Sequence, residues 1–161
     1  MSRRTSVLFV CLGNICRSPL AEGIFIHIAR ERKILSRFEV DSCGTGGWHA
    51  GEPADARSIA VAKKHGVRLP SRARKVVPGD DWRFDQIIAM DRENRRDLLA
   101  LGAPRDRVLL ARAFDQTLEG AHESELDVPD PYYGGHEGFD QVYEMLERAC
   151  TGLIGRLSGQ P

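Results

Sequence analysis

The sequence SVLFVCLGNICRS, residues 6–18, joins an apolar run to a polar turn. Its first seven residues include β-branched and aromatic side chains, as is typical of a strand buried on both faces of a parallel sheet. Gly13 and Asn14 then turn the chain, and Gly13 gives the backbone freedom that a side chain would forbid. Ser18 and Pro19 predict a helix with Ser18 as its N-cap and Pro19 at its first position. This segment therefore predicts a strand, a short loop and a helix in direct succession.

Predicted strands and helices alternate along the rest of the chain. Gly66 ends the second predicted helix, and Asp91 caps the third. An acidic loop is predicted over residues 118–135, and a C-terminal helix follows with a core stripe from Phe139 to Leu157. The predicted strands are residues 6–12, 38–43, 84–90 and 107–111, and the predicted helices before the last one are residues 19–33, 55–65 and 92–101.

This alternation predicts a single α/β domain over residues 1–161, with a parallel sheet of four strands and helices on both faces. No repeat or linker divides the chain. Ligands of such open sheets bind at the carboxyl ends of the strands, near the point where the strand order reverses. The loop after the first strand is therefore the first candidate site.

The charge balance limits the classes of function. Lys plus Arg and Asp plus Glu each number 23, so the formal net charge is zero. Nucleic-acid-binding proteins usually carry a basic excess or stripe, and membrane-surface modules carry a polybasic patch. No apolar run reaches the ~20 residues of a membrane span, and the residues after Met1 lack a signal-peptide pattern. We therefore expect a soluble cytoplasmic protein that binds neither nucleic acid nor membrane.

The loop after the first strand combines groups suited to phosphate chemistry. Its N–H groups and those at the start of the helix form a site that attracts anions. The planar guanidinium of Arg17 can hold two oxygens of a phosphate group. Cys11 ends the strand, where positive surroundings favour the nucleophilic thiolate, and Ser18 can donate a hydrogen bond to its sulfur. The sequence thus predicts a phosphate-binding loop after strand 1 with a nucleophile at its base.

A second candidate group lies in the acidic loop, within DVPDPYYGG at residues 127–135. Prolines on both sides restrict Asp130 to an extended or turn conformation. Cleavage of a phosphate ester needs a proton donor for the leaving oxygen, which a carboxylic acid can supply. Tyr132 and Tyr133 offer flat apolar surfaces for an aromatic group. Taken alone, the segment is more typical of a surface turn with two half-buried tyrosines.

Four segments, in this order, resemble the low-molecular-weight protein tyrosine phosphatases. They are VLFVCLGNICRSPLAE, DSCGTGGWHAGEPAD, FDQIIAMDRENRRDL and DPYYGG, and the resemblance extends from about Val7 to Leu157. The family's fold is a small α/β domain with a four-stranded parallel sheet. The resemblance implies a metal-independent enzyme without cofactors that hydrolyses phosphotyrosine in proteins and is inhibited by inorganic phosphate or vanadate. The spacing of the histidines likewise predicts no metal site.

The resemblance also implies roles for individual residues. Cys11 is the expected nucleophile, Arg17 the expected phosphate clamp and Asp130 the expected general acid. Asn14, Ser18 and Ser42 are expected to support the loop by hydrogen bonds. The expected substrate-binding residues are Leu12, Gly13, Asn14, Ile15, Cys16, Ser18, Trp48 and Tyr132.

The four cysteines have unequal expected roles. Cys43 and Cys150 are predicted to be core residues. In the related family, a cysteine at the position of Cys16 can form a reversible disulfide with the nucleophile, which shields Cys11 from over-oxidation. The alternative is that Cys16 only fills space under the loop. A chain of this length needs no structural disulfide, which favours a reducing compartment.

Two positions bear on the substrate and on departures from the family. Relatives that act on phosphoarginine tend to carry threonine where this chain has Ile15, so Ile15 favours phosphotyrosine. Ser71 stands where many members have histidine, which puts a local contact in doubt. The alternatives are a protein-arginine phosphatase, an arsenate reductase or a non-catalytic phosphate-binding module. Arsenate reduction needs further redox cysteines, which residues 80–96 lack, and a binding module needs no nucleophile.

Overall fold

Four parallel strands form the centre of the structure, a computed structural model in which residues 3–159 are described. The strands are β1 (Thr5–Cys11), β2 (Phe38–Gly44), β3 (Gln86–Ala89) and β4 (Val108–Leu110). The α-helices are α1 (Arg17–Glu31), α2 (Ala56–Lys64), α3 (Arg92–Ala100) and α4 (His136–Ser158). Short 3₁₀ helices cover Leu35–Arg37, Asp80–Arg83, Arg105–Arg107, Ala111–Phe114, Gln116–Leu118 and Glu123–Glu125. The predicted α/β class and four-stranded parallel sheet are confirmed, while residues 1, 2, 160 and 161 of the predicted domain lie outside the described residues.

The first strand separates two apolar layers because successive side chains point to opposite faces of a sheet. Val7, Phe9 and Cys11 lie in the layer formed with α1, α2 and α4. Leu8 and Val10 lie in the other layer, which contains side chains of α3. Helices therefore flank the sheet on both faces, as predicted. The nucleophile candidate belongs to the face covered by three helices.

The strand order β2-β1-β3-β4 reverses at β1. The chain leaves β1 through α1 to β2 on one side, whereas β3 pairs with the opposite side of β1. Cys11 is the last residue of β1 and pairs in register with Gly44 at the end of β2. The loop after β1 thus begins at the carboxyl edge of the sheet, where ligands of open α/β sheets bind.

The start of α1 differs from the prediction. The helix begins at Arg17 with Cys16 as its N-cap, so the predicted N-cap role of Ser18 is wrong. The hydroxyl of Ser18 lies 3.0 Å from the Cys11 sulfur, and this tertiary contact replaces a local cap. Pro19 falls at the third helical position, which is tolerated because N–H groups in the first turn have no intrahelical acceptor.

Other predicted element ends agree more closely with the structure. The Asp91 carboxylate accepts the Asn94 N–H at 2.7 Å, which confirms Asp91 as the cap of α3. Gly66 follows the end of α2 with φ +74°, in the left-handed region that favours glycine. Strands β3 and β4 are shorter than predicted because their apolar runs extend beyond the residues that pair with neighbouring strands.

The last helix, α4, covers the sheet beside α1. Its buried side chains recur every three or four residues, which confirms the predicted core stripe. They include Phe139, Val142, Leu146, Ala149 and Leu153. Although α4 has 23 residues, no helix in the described part of the chain has the length and apolar character needed to cross a membrane.

Candidate active site

The loop of residues 11–18, called the phosphate loop here, surrounds the Cys11 sulfur with donors. Sγ accepts a hydrogen bond from the Asn14 N–H at 3.3 Å and lies 3.0 Å from Ser18 Oγ. When the sulfur is deprotonated, the Ser18 hydroxyl must act as the donor in this contact. Cys11 is 2% exposed and Ser18 is fully buried. The Asn14 N–H and the Ser18 hydroxyl therefore both lie within hydrogen-bond distance of the sulfur at the base of the loop.

The outer side of the phosphate loop is bound to its surroundings through carbonyl oxygens. Four loop carbonyls accept hydrogen bonds of 2.7 to 3.2 Å from donors outside the loop. The pairs are Thr45 N–H with Cys11 O, Gly46 N–H with Leu12 O, Asp55 N–H with Ile15 O and Ser58 Oγ with Cys16 O. Carbonyls that point outward leave the inner side of the turn to N–H groups, which is the arrangement of an anion-binding nest.

The left-handed turn of the phosphate loop falls on Asn14. Asn14 has φ +56°, whereas Gly13 does not have a positive φ, so the predicted conformational role of Gly13 is wrong. Asparagine tolerates this region because its short side chain can form local hydrogen bonds. The Asn14 amide donates to Ser18 Oγ at 2.7 Å and to Ser42 Oγ at 3.1 Å, and it accepts the Arg74 N–H at 3.0 Å. Asn14 therefore supports the loop from behind.

A buried carboxyl group continues this network below the loop. The hydroxyls of Ser42 and Ser71 donate to Glu22 Oε1 at 2.6 and 2.7 Å. Burial raises the pKa of Glu22, although the two hydroxyls oppose that shift. Ser71, the residue in the family's histidine position, thus supplies a hydroxyl to the network. Sequence reasoning missed Glu22 because a single acidic residue in a helix normally faces solvent.

The end of β2 lies directly under the phosphate loop at a glycine. A Cβ atom on Gly44 would lie 2.7 Å from Leu12 O and 3.1 Å from Asn14 N. A larger residue would displace the loop backbone, so this close approach requires glycine. The sequence shows Gly44 only as the first residue of a glycine-rich stretch, and this supporting role was also missed.

Arg17 is held in place by groups outside the phosphate loop. Nη1 donates to Asp91 Oδ2 at 2.6 Å and to Val128 O at 2.8 Å, and Nη2 lies 3.8 Å from Asp130 Oδ2. Burial lowers the pKa of Arg17, but the Cys11 sulfur and the Asp91 carboxylate outweigh burial and raise that pKa. Asp91 therefore both caps α3 and pairs with the Arg17 guanidinium, a second role beyond the predicted cap.

Asp130 comes from a segment far along the chain from the phosphate loop, shortly before α4. Its side chain is 40% exposed. Oδ1 accepts the Tyr132 N–H at 3.0 Å, a local turn that orients the carboxyl group, and Oδ2 faces Arg17. The segment of residues 126–135, called the acid loop here, therefore carries a carboxyl group beside the Arg17 guanidinium.

A cavity of about 320 Å³ opens above Cys11. Most of the predicted site residues line it. They are Cys11, Leu12, Gly13, Ile15, Cys16, Arg17, Trp48, Asp130 and Tyr132. Trp48 is 71% exposed, so the aromatic wall remains open to solvent at its rim. In residues 3–159, no cluster of three or more His, Cys, Asp or Glu side chains is arranged to hold a metal ion.

Five further residues complete the description of the cavity. Asn14, Ser18 and Ser42 are buried behind the phosphate loop and do not line the cavity with the other predicted residues. His49 and Tyr133 do line it, although neither is among the predicted substrate-binding residues. His49 Nδ1 lies 2.6 Å from a carboxylate oxygen of Glu52, which fixes the ring at the rim.

The four cysteines, all within the described residues, are free thiols. Cys43 and Cys150 are buried in the two apolar layers, which confirms them as core residues. Cys16 lines the cavity and is almost fully buried. Burial, followed by the charges of Asp55 and Cys11, raises the pKa of Cys16 to about 12. The Cys16 thiol therefore stays protonated at neutral pH while it remains in this position.

Comparison with known proteins identifies a family. Residues 6–160 match the family described as low molecular weight phosphotyrosine protein phosphatase. A low molecular weight protein-tyrosine-phosphatase from Streptomyces coelicolor is 44% identical over 158 residues, covering 96% of this chain and 94% of that protein. A crystal structure of a protein tyrosine phosphatase from Entamoeba histolytica has a TM-score of 0.88 at 39% identity, covering 96% of this chain and 97% of that one. A Drosophila arginine phosphatase has a TM-score of 0.83 at 30% identity, covering 94% and 96%. This chain therefore belongs to the low molecular weight phosphotyrosine protein phosphatase family.

Proposed function

We propose that this protein hydrolyses phosphotyrosine in protein substrates through a cysteinyl-phosphate intermediate. The observation that carries the proposal is the cavity lined together by Cys11, Arg17 and Asp130. A nucleophile, a phosphate-binding cation and a carboxylic acid are the three groups that metal-independent cleavage of a phosphate ester needs.

The first step transfers the phosphoryl group to Cys11. The thiolate attacks phosphorus opposite the tyrosine oxygen, so that a sulfur–phosphorus bond forms while the phosphorus–oxygen bond breaks. Before attack, the Asn14 N–H donates a hydrogen bond to the sulfur, and Ser18 Oγ lies 3.0 Å from it. Arg17 and the N–H groups of the phosphate loop stabilise the charge on the three non-bridging oxygens.

Proton transfer completes both steps. Asp130 gives its proton to the departing tyrosine oxygen, an effect of about 10²- to 10⁴-fold in rate. The resulting carboxylate then takes a proton from water as that water attacks phosphorus. The sulfur–phosphorus bond breaks in this second step, which releases inorganic phosphate and restores the thiolate.

The cavity walls favour an aromatic phosphate ester. Leu12, Trp48 and Tyr132 present apolar surface around an opening that leads to Cys11. A volume of about 320 Å³ is sufficient for a phosphorylated phenol ring. Ile15, a buried residue that lines the cavity, offers no hydroxyl to a nitrogen-linked phosphate, which favours phosphotyrosine over phosphoarginine.

The proposal also covers where the protein acts and what it binds. We propose that the chain acts as a single domain in the cytoplasm on protein substrates, without a nucleic-acid or membrane partner. The zero net charge and the four free thiols support that setting. Fractionation of cells with an antibody against the protein tests the location, and recovery with membranes would contradict it.

Hydrolysis assays with two phosphopeptides of matched sequence test the function directly. One peptide carries phosphotyrosine and the other phosphoarginine, and both are assayed with a chelator present. We expect kcat/KM to favour phosphotyrosine by about 100-fold or more, with competitive inhibition by vanadate and inorganic phosphate. A preference for phosphoarginine would support the arginine phosphatase instead. Binding of phosphate without turnover of either peptide would support a non-catalytic module.

A further inference from the structure

The first turn of α2 is attached to the phosphate loop. The Asp55 N–H donates to Ile15 O at 2.7 Å, and Ser58 Oγ donates to Cys16 O at 3.2 Å. The Asp55 carboxylate also caps α2 by accepting the Arg57 N–H at 2.8 Å. The backbone from Asp55 to Ser58 therefore has a defined position relative to the nucleophile loop.

Arg57 extends from this turn to the acid loop. Nη2 donates to Tyr132 O at 3.0 Å, and Nη1 donates to Gly134 O at 3.1 Å. Nε and Nη2 also donate to the two carboxylate oxygens of Asp55, each at 3.0 Å. The guanidinium carbon lies 4.5 Å from the ring centre of Phe139 and 5.6 Å from that of Tyr132. Arg57 thus binds the acid loop at two carbonyls while its own orientation is fixed from below.

The peptide groups of Tyr132 connect Arg57 to the general acid. The Tyr132 carbonyl accepts the Arg57 hydrogen bond, and the Tyr132 N–H donates to Asp130 Oδ1 at 3.0 Å. The other carboxyl oxygen, Oδ2, lies 3.8 Å from Arg17 Nη2. Tyr132 therefore links the two side chains, because its N–H orients Asp130 and its carbonyl is bound by Arg57.

The other end of the acid loop is held separately. The Val128 N–H donates to Met90 O at 2.8 Å, and the Asp127 carboxylate accepts hydrogen bonds from Arg92. These contacts precede Asp130 and do not reach the residues after it. Arg57 supplies the side-chain hydrogen bonds that connect the backbone of residues 132–134 to α2.

We propose that Arg57 is a positioning residue for Asp130, which keeps the acid directed at the oxygen that leaves with the substrate. This inference rests on the proposed function, since an oriented acid matters only where an ester is cleaved. Hydrogen bonds from Arg57 lower the pKa of Asp55, so the ion pair that orients the guanidinium stays charged at neutral pH.

Arg57→Met tests the role because it keeps an apolar stem near Phe139 and removes the donors. The readout is kcat/KM for aryl phosphates whose leaving groups differ in pKa. We expect a loss of about tenfold for phenyl phosphate and less than about threefold for 2,4-dinitrophenyl phosphate, whose leaving group needs no proton. The inhibition constant of inorganic phosphate should stay within about twofold, since Arg57 does not line the phosphate site. Arg57→Lys should lose less than Arg57→Met but remain impaired, because it keeps the charge without the planar fork.

A double-variant cycle separates positioning from general damage. In an Asp130→Asn background, Arg57→Met should change kcat/KM for phenyl phosphate by no more than about twofold, because the group through which it acts is gone. Arg83→Met is the matched control. Arg83 also pairs with a carboxylate, Glu39, and stacks on an aromatic ring, Phe84. It lies just before the first residue of β3, at the edge of the sheet opposite the one that carries the site. Arg83→Met should leave kcat/KM for both esters unchanged.

The outcomes distinguish this inference from the proposed function. A wild-type protein that cleaves no aryl phosphate would overturn the proposed function and the inference with it. If the wild-type protein cleaves aryl phosphates normally, two results would overturn only the positioning role. One is full activity of Arg57→Met, and the other is an equal loss of activity towards both esters. An undiminished loss in the Asp130→Asn background also overturns the role. If circular dichroism shows that Arg57→Met is unfolded, Arg57→Lys is judged by the same comparisons.

Discussion

The phosphate loop and the acid loop supply the two halves of one site by different means. The phosphate loop is a contiguous segment that follows the central strand, and its key side chains are buried. The acid loop lies near the surface, where Asp130 has a 40% exposed side chain and Tyr133 is 93% exposed. Arginines from other elements hold it through backbone carbonyls and carboxylates. The proposed phosphate-binding groups are therefore part of the core, whereas the proposed acid lies on a surface segment fixed by side-chain contacts.

Replacing the nucleophile gives the largest expected effect. Cys11→Ser should lower turnover of an aryl phosphate by at least about 10⁴-fold, because a serine hydroxyl is not ionised at neutral pH. The binding surface of the phosphate loop stays in place, so calorimetry should still detect inorganic phosphate. Turnover within about 100-fold of wild type would contradict the assignment of Cys11 as nucleophile.

Arg17→Lys should cause the next largest loss and tests the contrast between the loops. A lysine keeps the charge but cannot hold two phosphate oxygens, so kcat/KM should fall by about 10²-fold or more. The loss should be the same for esters with good and poor leaving groups, as measured across a series of aryl phosphates. Asp130→Ala is the matched change in the acid loop, and its effect should grow as the leaving group becomes poorer. If the loss in kcat/KM depended on the leaving group in the same way for both variants, separate roles for Arg17 and Asp130 would be contradicted.

Asn14→Ala should affect stability more than a change in the acid loop. It leaves buried hydrogen-bonding groups of Ser18, Ser42 and Arg74 without their partner and places alanine at φ +56°. We expect the free energy of unfolding in urea to fall by about 2–4 kcal/mol. Tyr133→Ala is the control in the exposed acid loop and should change it by less than about 0.5 kcal/mol. Equal effects would contradict the contrast in burial.

Glu22→Gln should have the smallest effect and should depend on pH. Because burial raises the pKa of Glu22, the folded state binds its proton more tightly than the unfolded state does. The free energy of unfolding therefore falls as pH rises from the unfolded pKa through the raised folded pKa. Glutamine can accept the same two hydroxyl groups without a charge.

Urea denaturation of both proteins at about pH 4.5 and about pH 8 measures this difference, since the lower value lies near the ordinary pKa of glutamate and the higher value well above it. The free energy of unfolding of Glu22→Gln relative to wild type should rise by about 0.5–1 kcal/mol at the higher pH. A difference between the two proteins that is the same at both pH values would contradict a raised pKa for Glu22.

The contrast between the loops also explains what could be predicted from sequence. The phosphate loop is a local signal, since its strand, turn and helix follow one another within residues 6–18. The acid loop has no such local signal, and its role required the family resemblance. The sequence predicts the turn at Gly13, but the turn falls on Asn14, whose side chain is held by hydrogen bonds within the fold. It also predicts Ser18 as the N-cap of α1, but the Ser18 hydroxyl contacts Cys11 instead.

Residues that act through distant partners were missed for a related physical reason. Glu22, Gly44 and Arg57 look like an exposed helix residue, a loop glycine and a surface cation in the sequence. Their importance comes from contacts with Ser42, with the Leu12 carbonyl and with the acid loop, which only the folded chain brings together. Spacing along a chain cannot express such contacts.

The anchoring of Arg17 to Asp91 and Val128 has a consequence for the cost of capturing a phosphate group. A free arginine loses about 2 kcal/mol of rotamer entropy when it is immobilised. In this protein, folding has already restricted the side chain, so the proposed phosphate site contains a guanidinium whose direction is set in advance. The empty and occupied sites should therefore have nearly the same shape, and small phosphate esters should enter without a closing motion.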